Sequence, residues 1–81
     1  MYARKYGLKI SYSWGDEEPI IEYKTKDMAW RKAKKLAMNE AELVSEEQQS
    51  EVGLSFNKEE GRIILHYNYC DDFCFYDIIE L

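Results

Sequence analysis

The segment KTKDMAWRKAKKLAMNEAELVSEEQQSE, residues 24–51, decides the fold class, because it is the one stretch of the chain with helical rather than alternating periodicity. Trp30, Ala33, Ala37, Ala41 and Val44 recur at spacings of three and four, giving one apolar face with Leu36 beside it. The small alanines let such a helix lie close to a sheet. Thr25 or Asp27 can cap the exposed N–H groups at its start, and its end is predicted between Val44 and Gln49. Ser45-Glu46-Glu47-Gln48 has the form of a capping box, marking either a fresh turn or a break before Gly53.

The same segment reverses its charge along its length. Lys24, Lys26, Arg31, Lys32, Lys34 and Lys35 stand against Asp27 in the first part, whereas Glu40, Glu42, Glu46, Glu47 and Glu51 carry all the charge in the second. A helix macrodipole prefers the opposite order, with each well-placed charge worth roughly 0.3–1 kcal/mol. Stability alone does not select this arrangement. Either recognition of a partner does, or the charges simply keep a solvated face wet.

Strands are predicted on both sides of the helix. Tyr6, Leu8, Ile10, Tyr12 and Trp14 alternate with polar residues and glycine, the strongest period-two signal in the chain. Gly15 to Pro19 forms a turn, and Ile20 to Lys24 returns antiparallel. Beyond the helix, Val52, Leu54 and Phe56 alternate, and Asn57 to Gly61 reads as a hairpin loop with Gly61 left-handed. The next strand runs from Arg62 to about Cys70, with Ile63, Leu65, Tyr67 and Tyr69 on one face and Ile64, His66, Asn68 and Cys70 on the other. Asp71-Asp72 turns the chain into a last strand, Phe73 to Ile79. The order ββαβββ predicts a single α+β domain over residues 1–81, with a mainly antiparallel sheet and one helix packed on one face. One helix covers only part of five strands. Because the last strands are apolar or aromatic on both faces, a homodimer contact or a protein ligand is expected to cover part of the second face.

Eighty-one residues leave room for one core, and a domain of this size needs efficient burial. Seven tyrosines exceed what that core requires, so some are expected to expose hydroxyl edges and serve as apolar anchors in binding. A net charge of −5 argues against a general nucleic-acid binder. No basic segment followed by an apolar one opens the chain, and no apolar run reaches the roughly 20 residues of a membrane span. The sequence reads as cytoplasmic, with its two cysteines reduced.

Catalytic chemistry finds little support in the residues. His66, Cys70 and Cys74 suggest a metal site, but His66 and Cys70 on an extended strand stand about 13 Å apart. With one histidine in the chain, a zinc site lacks ligands, and no metal or cofactor is expected. Cys70 and Cys74 can meet across a three-residue turn but face opposite ways across a two-residue one. Asp71, Asp72, Asp77 and Glu80 read as turn and surface carboxylates, and His66 has no companion nucleophile in a recognisable motif. The chain is therefore expected not to be an enzyme.

The expected function is protein binding. Glu42 and Glu46 stand one turn apart, roughly 6 Å between Cβ atoms, close to the spacing of successive phosphates on one nucleic-acid strand. In size and charge the chain resembles small acidic proteins of phages and mobile elements, including anti-CRISPR inhibitors, a likeness of bulk properties. The acidic stretch can imitate nucleic acid and occupy the basic groove of a nucleic-acid-handling enzyme as an inhibitor, with Glu40, Glu42, Glu46 and Glu47 as the expected contact residues. The alternatives are a nucleic-acid-binding regulator using Lys24, Lys26, Arg31, Lys32, Lys34 and Lys35, and a structural homodimer. Asp27 lies one turn before Arg31 and can pair with it, which weakens the basic half as a phosphate site.

Overall fold

The computed structural model of the chain describes residues 5–68 and 70–81. Its elements are β1 (Tyr6–Tyr12), β2 (Ile21–Tyr23), α1 (Lys26–Gln48), β3 (Val52–Asn57), β4 (Arg62–Tyr67) and β5 (Asp72–Glu80). The strands form one antiparallel sheet in the order β2-β1-β5-β4-β3, an α+β domain with its one helix on one face, as the sequence order implies. The first and last strands are neighbours at its centre, paired from Tyr6 opposite Glu80 to Tyr12 opposite Cys74.

Period-two alternation sorts the sheet's side chains. Leu8 and Ile10 of β1, Ile63, Leu65 and Tyr67 of β4, and Cys74 and Tyr76 of β5 form the core beneath α1. The helix contributes Ala29, Ala33 and Ala37, none of which exposes any surface, together with Val44. Trp30, Leu36 and Ala41 flank that stripe half-buried. Thr25 is the N-cap; its extended backbone lets Oγ1 accept from the Met28 amide at 3.1 Å, satisfying one of the donors a helix start leaves open. At the other end Gln49 closes the helix in a left-handed conformation with φ of 50°.

Several boundaries differ from the periodicity. Ser45 to Gln48 neither starts nor breaks a helix: these residues continue α1, since no glycine or proline intervenes and Val44 still anchors that turn on the core. The first strand ends at Tyr12 and the second spans only Ile21–Tyr23. Trp14 leaves the alternation for a turn closed by the Gly15 amide on the Tyr12 carbonyl at 2.9 Å. Its ring stacks on Tyr12 at 4.6 Å and its Nε1 donates to Asp16 at 2.8 Å, so aromatic contact rather than ladder pairing places it.

The last hairpin also differs. β4 stops at Tyr67, β5 starts one residue earlier than expected at Asp72, and Tyr67 and Asp72 are partners. The turn between the partners Tyr67 and Asp72 therefore has neither of the lengths considered for Cys70 and Cys74, and Asp71 is left-handed at φ 55°. Ser13, just past β1, ties to the start of β5: its Oγ donates to Asp72 at 3.0 Å and accepts from the Phe73 amide at 2.9 Å. The expected placement of Tyr69 on the core face falls outside the described residues.

Beneath the helix, burial raises the pKa values of Tyr12, Tyr67 and Tyr76 and pushes that of the Cys74 thiol up to about 11. Each of these groups folds neutral. Their contribution to stability is complete below the unfolded-state values near 9 to 10 and is lost as pH rises through the raised folded values, because the unfolded chain gives up protons that the folded chain retains. Thermal melts should therefore show a midpoint falling steadily from about pH 9 upward. Tyr76→Phe should flatten that descent relative to the parent.

Candidate functional site

An α-helix that spends one face on three alanines and a valine turns its long side chains outward. On α1 the exposed row runs Met28, Arg31, Lys35, Met38, Glu42 and Glu46, at spacings of three and four opposite the alanine stripe. Met28 and Met38 are 49% and 51% exposed, and Leu43 beside the row is 54% exposed. These apolar groups stand on a face that is basic before Met38 and acidic after it. Among the described residues, no ion pair engages Lys34, Lys35, Glu42, Glu46 or Glu47.

The four glutamates singled out in the sequence do not share one environment. Glu42, Glu46 and Glu47 are exposed. Glu40 is half-buried on the side of the helix that faces the sheet, where it accepts from the Tyr67 hydroxyl at 3.4 Å. It lines a cleft of about 300 Å³ with Tyr12, Glu18, Lys32 and Tyr76. The Tyr12 hydroxyl donates to Glu18 at 3.0 Å at its rim. Position 40 lies one turn before Val44 and between the positions of Ala37 and Ala41, so helical phase predicts this inward placement.

The basic residues are similarly divided. Lys24 precedes the cap, and Lys26 lies beside Asp27, Trp30 and Lys58 at the helix start. Arg31 pairs with Asp27 at 3.0 Å, as their spacing implies. Lys32 leans toward the cleft that Glu40 lines, which leaves Lys34 and Lys35 next to Met38 and Asn39. No single dense cationic patch results.

Among the described residues no tyrosine is fully exposed, although the Tyr12 hydroxyl reaches the surface at Glu18. Tyr67 and Tyr76 are buried, while Tyr6, Tyr12 and Tyr23 are half-buried. The apolar groups that reach solvent on the helix are instead Met28, Met38 and Leu43. The same heptad-like spacing that identifies the alanine stripe marks Met28 and Met38 on the opposite side.

The other face of the sheet carries a self-contained aromatic strip. His66 stacks on Phe73 at 4.5 Å, Phe73 on Phe75 at 6.1 Å, and the Arg62 guanidinium sits 5.6 Å from the Phe75 ring centre. Arg62 Nε donates to Asp77 at 2.6 Å, and His66 Nε2 lies 2.7 Å from Asp71. Asp71, Asp72 and Asp77 thus each hold a neighbouring side chain. His66 and Cys74 project from opposite faces, since His66 opposes Phe73 and Leu65 opposes Cys74, so one ion cannot bind both. Among the described residues no group of three or more His, Cys, Asp or Glu side chains is placed to hold a metal, and no helix is long and apolar enough to cross a membrane.

Two measurements follow from this geometry. Cys70 is exposed and Cys74 is buried with its thiol held neutral, so an aromatic disulfide reagent at pH 8 should modify one thiol in the folded protein and a second only on unfolding. The last turn of α1 has no basic residue, so Glu46→Lys with Glu47→Lys should raise stability by about 0.3–1 kcal/mol per charge in low-salt denaturant titrations at low protein concentration. No protein-family model, curated protein or solved structure matches this chain.

Proposed function

We propose that this chain is a non-enzymatic protein-binding module whose contact surface is the acidic half of α1, with Glu42, Glu46 and Glu47 as the charged contacts and Leu43 and Met38 as the apolar ones. The observation that carries this reading is a set of glutamates placed against the helix dipole, exposed, and without an ion-pair partner among the described residues. Folding gains nothing from that order, whereas a basic protein surface does. Glu40, on the sheet-facing side of the same helix, holds the helix over Tyr67 rather than meeting a partner directly.

The partner class that this charge favours is a nucleic-acid-handling enzyme, whose groove is basic because it holds phosphates. A helical row of carboxylates with exposed methionine and leucine among them would compete for such a groove and inhibit the enzyme. Binding of this kind depends on charge for its rate and on the apolar contacts for its lifetime.

Affinity capture from the native host tests the reading. The parent protein should retain an enzyme that added duplex DNA or RNA displaces. Combined Glu42→Lys, Glu46→Lys and Glu47→Lys should reduce that capture by at least about tenfold, with far-ultraviolet circular dichroism showing the fold intact. Undiminished capture by the triple variant overturns the acidic half as the contact surface.

A further inference from the structure

We propose that two copies of this chain pair through the outward faces of α1, antiparallel, so that the basic half of each helix lies on the acidic half of the other. This pairing rests on the reading that the acidic half binds a basic protein surface, and it names one such surface within the protein itself.

A two-fold contact brings the same patch of both copies together, so the patch must be complementary to itself when reversed. The exposed row on α1 has that property about a point between Met38 and Asn39. Lys35 and Glu42 lie equally far on either side of it, about 5 Å along the axis, and Arg31 and Glu46 equally far again, at about 11 Å. Reversing one helix on the other therefore sets Lys35 against the second copy's Glu42, and Arg31 against its Glu46. Met38 lies at the axis, where the two methionines meet and supply the apolar centre. The positions Met28, Arg31, Lys35, Met38, Glu42 and Ser45 alternate spacings of three and four, the pattern that keeps a helix seam facing a partner along its length. A parallel pair would put like charges opposite one another throughout, so the charge order selects the antiparallel one.

The same pairing accounts for the charge order that the macrodipole disfavours. In an antiparallel pair the dipole of each helix opposes its neighbour's, and charges that sit badly on their own helix lie beside the favourable end of the other. Two helices about 34 Å long offer less contact than the roughly 1,200 Å² of a stable complex, so the association is weak and depends on concentration and salt. It also occupies Glu42 and Glu46, so a heterologous basic partner would bind at the expense of the pair.

Sedimentation velocity and light scattering on the full chain test this. At about 20 mM salt, raising the concentration from about 5 to 500 µM should move the mass from 9.7 kDa toward twice that value, and about 0.5 M salt should return it to the monomer. Arg31→Glu with Lys35→Glu should remain monomeric, as should Glu42→Lys with Glu46→Lys, while an equimolar mixture of the two variants should associate at least as well as the parent. Both sets change only exposed positions, and circular dichroism with a thermal melt verifies that each is folded. A parent that stays monomeric at every concentration overturns the proposal, as does association that survives either reversal or a mixture that fails to associate. A dimer indifferent to the reversals but disrupted by Phe75→Lys would place the contact on the aromatic sheet face and overturns it equally. Loss of enzyme capture in the triple glutamate variant without any self-association overturns the pairing and leaves the acidic contact standing. Self-association that follows the charge swaps beside unchanged capture does the reverse.

Discussion

Close contact between the alanine stripe of α1 and the sheet is the constraint on which the molecule depends. Ala29, Ala33 and Ala37 expose nothing, so the helix backbone itself lies against Leu8, Ile63, Leu65 and the rings around them. Larger residues at these positions would hold the helix off the sheet and open voids that a domain of 81 residues has little spare burial to offset. The choice of small residues on the inside has a consequence on the outside. Almost every long side chain of α1 must face solvent or the helix flanks, and its chemistry is read there as a row of charge and sulfur rather than as packing.

Much of this architecture is legible in the sequence because two periodicities dominate it. Period two in β1, β4 and β5 sorts Leu8 from Lys9 and Leu65 from His66, and the recurrence of alanine fixes the inner face of α1. The boundaries are less legible where local chemistry competes with pattern. Trp14 continues the alternation in the sequence but is drawn into a turn by Tyr12 and Asp16, and the Ser45 to Gln48 motif resembles a helix start while lying inside a helix. Strand order is not written in either periodicity. It comes from the pairing of β1 with β5, a contact between residues far apart in the chain.

The candidate surface is only half legible in the residue order. Charge shows in a sequence regardless of fold, so the basic and acidic halves of α1 are evident from residue types alone. Which charged residues share a side depends on the phase of the helix. Glu40 differs from Glu42 by only two positions, yet those positions separate a carboxylate beneath the helix from one in solvent. Met28 and Met38 escape notice for a related reason. Apolar residues are expected inside, and only the placement of the alanines shows that both methionines stand on the opposite side.

The central place of β5 bears on how the chain acquires its fold. β1 is the first strand described and β5 the last, and each hydrogen-bonds along its length to the other. β1 with β2 can form a hairpin, and so can β3 with β4, but β1 and β4 each lack one hydrogen-bonded neighbour until residues 72–80 take their place between them. Until then Leu8, Ile10 and the alanine face of α1 have no completed sheet to cover them. A chain of this design keeps apolar edges open until β5 is in place, and commits to its native sheet through one long-range pairing.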